Sequence, residues 1–188
     1  MDRSEIIHKI TEFADRAHGN QTRKYTSERY IVHPIRVMET CSLYTDDLPI
    51  LAAAILHDVI EDTPLSQYDI SQFLIEFMSH NDRELTVKMV LELTDVYIKK
   101  DFPKLNRYKR KKMELERLRT ISADAQTIKY ADILDNSNEI PQQDPSFAKR
   151  YLIECYDILL ALDKGNPQLH QKTIDLVVTE LENIIKKE

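Results

Sequence analysis

Only two glycines, Gly19 and Gly165, occur in this chain of 188 residues. Glycine makes up about 7% of an average protein, and the tight turns of β-hairpins depend on residues that accept a positive φ angle, glycine above all. Helices, in contrast, can be joined by short polar or proline-containing links. The scarcity of glycine therefore predicts an all-α fold.

Apolar periodicity and the prolines place the helices along the chain. Ser4 is a candidate N-cap for a first helix that Gly19 ends. Pro34 and Pro49 suit the first positions of a second and a third helix, and Pro64 ends the third. No repeat or long linker divides the sequence, so we expect one domain covering residues 1–188, built as a helical bundle. Further helices are predicted at about residues 69–79, 83–95, 104–119, 122–139, 146–163 and 167–186.

Charge, cysteines and hydropathy exclude several classes of protein. The formal net charge of −6 argues against a dedicated nucleic-acid-binding protein. The two cysteines, Cys41 and Cys155, form no Cys-x-x-Cys motif and no disulfide framework. The first ten residues, MDRSEIIHKI, lack the apolar core of a signal peptide, and no apolar run approaches the ~18–20 residues of a membrane span. We therefore expect a cytoplasmic protein without membrane contact.

The stretch AAAILHDVIEDTP, residues 52–64, places His57, Asp58, Glu61 and Asp62 directly after an apolar run. On one continuous helix, His57 and Glu61 would share a face, as would Asp58 and Asp62. The C-terminal end of a helix carries partial negative charge and is a poor place for carboxylates without a compensating cation. A divalent metal ion is the obvious candidate. The alternative is that the carboxylates are solvated and His57 is an ordinary buried histidine.

Two more segments favour a metal site. His33 follows the apolar residues of YIVHPIRV, and Asp132 interrupts the apolar run of IKYADILDN. Two imidazoles and two carboxylates form a mixed nitrogen and oxygen set that suits Mn²⁺, Fe²⁺ or Zn²⁺. A structural zinc site would more often use cysteines.

The order of these motifs resembles the HD-domain metal-dependent phosphohydrolases. The segments AHGNQTRKYTSERYIVHP, AAAILHDVIEDT and KYADILDN are similar to the three hydrolase motifs of the RelA/SpoT family. The segments LTDVYIKKDFPKLNRYKRKKME and RYLIECYDILLALDKGNPQL further resemble the small stand-alone hydrolases of MESH type. The resemblance implies a helical HD domain that removes the 3′-diphosphate from the alarmone ppGpp, giving GDP and pyrophosphate.

The resemblance also implies roles for individual residues. Glu61 and Asp62 match the pair that orients or activates the attacking water, and such a carboxylate can accept the water's proton. The metal, usually manganese in this family, would be bound by His33, His57, Asp58 and Asp132. The nucleotide substrate would be contacted by Arg23, Lys24, Asn136 and Tyr151.

For Arg23 and Lys24 the alternative is a solvated polar loop. Arginine offers phosphate a planar fork of donors, whereas lysine acts as a point charge.

The segment from Lys99 to Arg119 is strongly basic, with ten lysines and arginines against three acids. By analogy, Lys104 and Arg107 would lie nearest the substrate phosphates. The alternatives are a solvated helix with pairs such as Arg110–Glu114, or a nucleic-acid patch, which the net charge disfavours. We expect a few phosphate contacts near Pro103 and solvated side chains elsewhere.

Two positions depart from the family pattern. Asn138 stands where relatives typically have an arginine, and Glu139 replaces a residue that lies near the base. The resemblance therefore implies phosphohydrolase activity more firmly than it implies ppGpp as substrate. The alternatives are hydrolysis of another nucleotide, or a silent nucleotide-binding module, although intact Glu61 and Asp62 argue against silence. Too few residues follow Asp132 for the synthetase domain of long family members, so we expect hydrolysis alone.

Overall fold

The computed structural model describes residues 1–186, and within that range it contains helices and no β-strand. A single antiparallel bridge joins Thr22 to Arg29 in the loop between the first two helices. The all-α fold predicted from the sequence is therefore confirmed. The helices are α1 Arg3–His18, α2 Val32–Ser42, α3 Leu48–Leu56, α4 Val59–Asp62, α5 Gln67–Leu74, α6 His80–Leu93, α7 Arg107–Leu118, α8 Ala123–Gln143, α9 Pro145–Ala161 and α10 Pro167–Ile185.

The chain divides into two compact units, and the first extends from Met1 to Thr94. Its centre is α3, which packs against α1, α2 and α6. Every residue of α3 from Pro49 to Leu56 is buried, which is why this helix is apolar on all sides rather than on one face. The apolar run that precedes His57 is therefore the core of the first unit.

The second unit begins at Asp95 and contains α7 to α10. In it, α8, α9 and α10 pack against one another, and α7 packs against α9. Gly165 lies in the link before α10, where an added Cβ atom would come within 2.5 Å of the Tyr130 ring and 2.8 Å of the Thr127 nitrogen. One of the two glycines is thus required by close packing. The prediction of a single domain for residues 1–188 remains a prediction.

Two predicted helix starts are wrong by a few residues. The N-cap of α1 is Asp2 rather than Ser4, because the Asp2 carboxylate accepts the Glu5 backbone N–H while the Glu5 side chain accepts the Asp2 N–H, a reciprocal capping box. The second helix begins at Val32, so that Pro34 is its third residue rather than its first. A proline is tolerated there because N–H groups in the first helical turn have no intrahelical acceptor. Pro49 lies at the start of α3 as predicted.

The prediction of one continuous helix through His57 and Asp62 is wrong. Helix α3 ends at Leu56, His57 and Asp58 form a turn, and the short helix α4 follows. The Asp58 torsions, φ −94° and ψ −6°, lie in the sparsely populated bridge region where many active-site residues are found. The break therefore falls on His57 and Asp58, two of the four residues that the sequence singled out in this stretch.

The later helices match the predicted ones in order, with boundaries that differ by a few residues. The largest differences are at two C-terminal ends: α5 ends at Leu74 instead of near residue 79, and α8 continues through Pro141 to Gln143 instead of ending near residue 139. No helix within residues 1–186 is both long enough and apolar enough to cross a membrane.

Candidate active site

Three of the predicted metal ligands converge in the first unit. His33 lies in the first turn of α2, and His57 and Asp58 form the turn between α3 and α4. Oδ2 of Asp58 lies 3.1 Å from Nε2 of His57 and 3.7 Å from Nε2 of His33. One candidate ligand atom from each of the three residues lies within 4.8 Å of the other two. The turn that interrupts the helix thus brings the three side chains to one point.

The two imidazoles are buried, and the ring of His57 is oriented by a hydrogen bond that leaves its other nitrogen able to bind a metal. His33 is 1% exposed and His57 is 4% exposed. Nδ1 of His57 lies 2.8 Å from the Ala54 carbonyl oxygen. A carbonyl can only accept a hydrogen bond, so Nδ1 carries the proton and Nε2 presents its lone pair toward Asp58. Metal-binding histidines typically donate their other ring N–H to a carbonyl or carboxylate in this way, which fixes the tautomer and the ring orientation, and the donor set fits a divalent cation.

Tyr30, which was not among the predicted site residues, belongs to the same cluster. Its hydroxyl donates a hydrogen bond of 2.7 Å to Oδ2 of Asp58. Burial, together with the nearby charges of Asp58 and Asp62, raises the pKa of Tyr30 far above its ordinary value, so the hydroxyl remains a donor. The sequence offered one indication of its role: in YIVHP, Tyr30 precedes His33 by three residues, a spacing that can place two side chains on the same side of the chain.

Glu61 and Asp62, the predicted water-activating pair, lie on α4 and are exposed. Partial desolvation and the charge of Asp58 raise the pKa of Asp62, while its hydrogen bond with Tyr30 acts in the opposite direction. The net shift is upward. Asp62 is therefore electrostatically linked to the cluster.

The predicted phosphate ligands Arg23 and Lys24 lie in the loop between α1 and α2, and their environments differ. Arg23 is 8% exposed, and its guanidinium carbon lies 5.9 Å from the centre of the Tyr30 ring. Lys24 is exposed and donates a 2.7 Å hydrogen bond to the Tyr25 hydroxyl. The solvated-loop interpretation therefore suits Lys24 better than Arg23.

Asp132, the fourth predicted ligand, lies on α8 in the second unit and is 8% exposed. Its Oδ2 accepts a 2.9 Å hydrogen bond from Nζ of Lys129, and its Oδ1 accepts one of 2.7 Å from Nδ2 of Asn136. Lys129 precedes Asp132 by three residues and Asn136 follows it by four, so one helix face supplies both donors. The metal-binding role of Asp132 remains a prediction.

Tyr151 lies on α9 of the second unit, and burial raises the pKa of its hydroxyl well above the ordinary value. The charges of Cys155 and Asp132 add to that effect. Asn138, one of the two departures from the family pattern, donates to the Leu134 carbonyl at 2.9 Å on the same helix. The substrate contacts predicted for Tyr151 and Asn136 remain predictions.

The basic segment forms ion pairs within the second unit. Arg107 binds Glu154 through two contacts, Nε to Oε1 at 2.8 Å and Nη2 to Oε2 at 2.6 Å. Glu114 accepts from Arg117 and from the backbone N–H groups of Val96 and Tyr97. Arg110, which the solvated-helix alternative pairs with Glu114, donates to the Leu105 carbonyl oxygen. The exposed Lys104 makes no such contact among the described residues.

Comparison with known proteins identifies the family. The HD domain model matches residues 30–137, which include all four predicted metal ligands. The chain belongs to the HD-domain family. HD domains imply a divalent metal, and His33, His57 and Asp58 could form its site.

The sequence of this HD-domain chain is similar to those of proteins named as (p)ppGpp hydrolases. It is 33% identical over 174 residues to the bifunctional (p)ppGpp synthase/hydrolase SpoT of Escherichia coli K12, covering 89% of this chain and 22% of SpoT. It is 30% identical over 171 residues to the Homo sapiens guanosine-3′,5′-bis(diphosphate) 3′-pyrophosphohydrolase MESH1, covering 87% of this chain and 88% of MESH1. The chain therefore spans about a fifth of SpoT but most of MESH1. The resemblance to RelA/SpoT and MESH-type proteins is confirmed.

A solved structure supports the fold of this HD domain. It is that of a metazoan ortholog of SpoT described as hydrolysing ppGpp, with a TM-score of 0.74 and 24% sequence identity. The match covers 97% of this chain and 94% of the other. At that identity the likeness establishes the fold alone.

Proposed function

We propose that the protein is a metal-dependent phosphohydrolase that removes the 3′-diphosphate from ppGpp and releases GDP and pyrophosphate. The observation that carries the proposal is the cluster of two buried imidazoles around Oδ2 of Asp58. The near full-length match to human MESH1, whose name states this activity, supports the choice of substrate.

We propose Mn²⁺ as the metal, held by His33, His57 and Asp58, with Asp132 as a fourth ligand on the strength of its sequence motif. Imidazole and carboxylate donors together suit Mn²⁺, Fe²⁺ and Zn²⁺, and the family resemblance favours manganese. When bound, such an ion lowers the pKa of its water and neutralises phosphoryl oxygens.

In the proposed reaction, water forms a new bond to the phosphorus next to the 3′-oxygen, and the bond between that phosphorus and the 3′-oxygen breaks. The attacking water loses one proton and the 3′-oxygen gains one. Glu61 accepts the water proton, with Asp62 orienting the water beside it. An exposed carboxylate on α4 can reach a solvent-facing water without being a ligand itself.

Several cations are proposed to bind the substrate. Arg23, held against the Tyr30 ring, offers a planar fork to a phosphate, and Lys24 adds a point charge in the same loop. On the second unit, Lys104 and Arg107 are the proposed phosphate contacts, and Asn136 and Tyr151 are the proposed nucleotide contacts.

The proposed partner is a small nucleotide rather than a nucleic acid, in keeping with a net charge of −6. Because a charged nucleotide does not cross a bilayer unaided, enzyme and substrate must share a compartment, for which we propose the cytoplasm.

A nucleotide panel with Mn²⁺ tests the proposal. The chain is incubated with ppGpp, GTP, GMP and a phosphorylated dinucleotide, and ³¹P NMR distinguishes pyrophosphate from orthophosphate among the products. We expect pyrophosphate and GDP from ppGpp, and no product with the Asp58→Ala variant. Orthophosphate from a mononucleotide instead would indicate an HD phosphohydrolase of different specificity. Tight binding of ppGpp without turnover would indicate a silent module.

A further inference from the structure

The Tyr30 hydroxyl and the two imidazoles converge on one carboxylate oxygen. Oδ2 of Asp58 accepts the Tyr30 O–H at 2.7 Å and lies 3.1 Å from Nε2 of His57 and 3.7 Å from Nε2 of His33. A carboxylate can rotate about its Cβ–Cγ bond, and χ2 of aspartate has only broad preferences. A fixed donor on one side of that oxygen limits which way it can turn.

Tyr30 is itself held from several sides. The His18 ring stacks on it with centroids 4.5 Å apart, and the His33 ring meets its edge at 6.2 Å. His18 is 6% exposed, and its Nδ1 lies 3.0 Å from Oε1 of Gln21. The Arg23 guanidinium carbon lies 5.9 Å from the centre of the Tyr30 ring, within the range of a cation–π contact. The ring therefore has little freedom to move.

The backbone of Tyr30 connects the loop to the start of α2. Its N–H donates to the Gln21 carbonyl at 2.9 Å, and its own carbonyl accepts the His33 N–H at 3.0 Å. The loop in between is closed by the bond from the Arg23 N–H to the Glu28 carbonyl, also 3.0 Å. Tyr30 thus joins the segment that carries Arg23 to the helix that carries His33.

We propose that Tyr30 is a positioning residue: its hydroxyl orients Asp58 for metal binding, and its ring holds Arg23 beside the same cluster. The proposal deepens the proposed function and rests on it. Hydrogen-bonded partners of metal ligands fix ligand orientation, and their loss typically costs about 10–100-fold in metal affinity or activity. The hydroxyl and the ring make separate contributions, which different substitutions can separate.

The hydroxyl is tested by Tyr30→Phe, which keeps the ring and removes only the O–H group. Mn²⁺ affinity is measured on the full chain by electron paramagnetic resonance titration of free Mn²⁺, without substrate. We expect the dissociation constant to rise about 10–100-fold. Turnover of ppGpp should fall more at subsaturating than at saturating Mn²⁺. The matched control is Tyr68→Phe on α5, where the tyrosine is 67% exposed, and it should bind Mn²⁺ as the wild type does.

The ring is tested by Tyr30→Leu, which also removes the surface under Arg23. This variant should show the weakened Mn²⁺ binding of Tyr30→Phe and, in addition, a raised KM for ppGpp at saturating Mn²⁺. Tyr30→Phe should leave that KM close to the wild-type value. A role in packing alone would change thermal stability in EDTA without producing this split between metal affinity and KM.

Three results would overturn the inference. The first is unchanged Mn²⁺ affinity in a folded Tyr30→Phe variant, which would leave the proposed hydrolase intact. The second is unfolding of Tyr30→Phe in EDTA, judged by circular dichroism, since the hydroxyl would then be structural. The third is a wild-type chain that binds no Mn²⁺, which would also refute the metal site of the proposed function.

Discussion

Nε2 of His33 lies 3.7 Å from Oδ2 of Asp58, although His33 lies in the first turn of α2 and Asp58 follows α3. His33 is buried to 1% exposure and Asp58 is partly buried. Taking a carboxylate out of water is costly unless it is paired and hydrogen-bonded. The Tyr30 hydroxyl supplies one such hydrogen bond, and a bound cation would neutralise the charge.

Removing the shared carboxylate should abolish metal binding and turnover together. In Asp58→Ala, the two imidazoles lose the only charged group of the three-residue cluster, and we expect no Mn²⁺ binding by titration calorimetry and no pyrophosphate from ppGpp. Asp46→Ala is the matched control, because Asp46 is exposed and forms its ion pair with Arg3, at 2.8 Å, away from the cluster. Full metal occupancy in Asp58→Ala would remove Asp58 from the ligand set.

Replacing the proposed general base should separate catalysis from metal binding. Glu61→Gln keeps the shape of the side chain but cannot accept a proton, so kcat should fall by about 10²–10⁴-fold while Mn²⁺ affinity is retained. Steady-state kinetics at saturating Mn²⁺ and a metal titration measure the two effects. The control is Glu76→Gln, an exposed glutamate beyond α5. Turnover near the wild-type rate would make Glu61 a solvated surface residue.

Local chemistry was sufficient to predict the helical fold and to single out His33, His57 and Asp58, which converge in the first unit. Scarce glycine, helical periodicity and proline positions depend only on backbone preferences, which operate over a few residues. The break between α3 and α4 was not predictable in this way. The apolar run continues helical spacing into His57, and the Asp58 torsions that end α3 become evident only in the folded chain.

Contacts between residues that are distant in sequence could not be predicted either. Tyr30 is an ordinary tyrosine in sequence, and its hydrogen bond to Asp58 depends on how the loop folds onto α3 and α4. The pair between Arg107 and Glu154 likewise depends on the packing of α7 against α9. From the sequence, Arg107 could only be assigned as an exposed phosphate contact in the basic segment. Sequence alone does not show which cations have acidic partners in the folded chain.

Lys104 and Arg107 should therefore respond differently to substitution. Arg107→Met removes a two-contact ion pair with Glu154 and a ring contact with Phe147, so we expect a loss of up to about 1 kcal/mol in the free energy of unfolding. It also removes a proposed phosphate contact, so the KM for ppGpp should rise as well. Lys104→Met should leave stability unchanged and raise the KM for ppGpp about 2–5-fold, as for a single exposed ion pair. Urea unfolding and steady-state kinetics separate the effects.

The matched control for these two variants is Lys172→Met on α10, an exposed lysine that should change neither quantity. A raised KM in Lys104→Met together with an unchanged KM in Arg107→Met would show that Arg107 serves only its pair with Glu154 and does not bind phosphate. Equal KM values in both variants and the wild type would remove the basic segment from the substrate site.

Asp95 should make stability depend on pH in the acid range. Burial opposes its ionisation, but the ammonium groups of Lys129 and Lys111 and the Arg117 guanidinium outweigh burial, so the pKa of Asp95 lies below its ordinary value of 3.8. Nζ of Lys111 lies 2.9 Å from its Oδ2. The unfolded chain therefore binds a proton here at higher pH than the folded chain does. The stabilisation is complete above about pH 5 and is lost as the pH falls through the folded pKa.

Urea unfolding of wild type and Asp95→Asn between pH 3 and pH 6, in EDTA, measures this contribution. The variant should be less stable at pH 6, and the difference should shrink toward pH 3, because protonation removes the charge from the wild-type side chain. Asp157→Asn on α9, an exposed position, is the control and should follow the wild-type curve. Parallel curves for wild type and Asp95→Asn would mean that the lysines do not stabilise the Asp95 carboxylate in the folded chain.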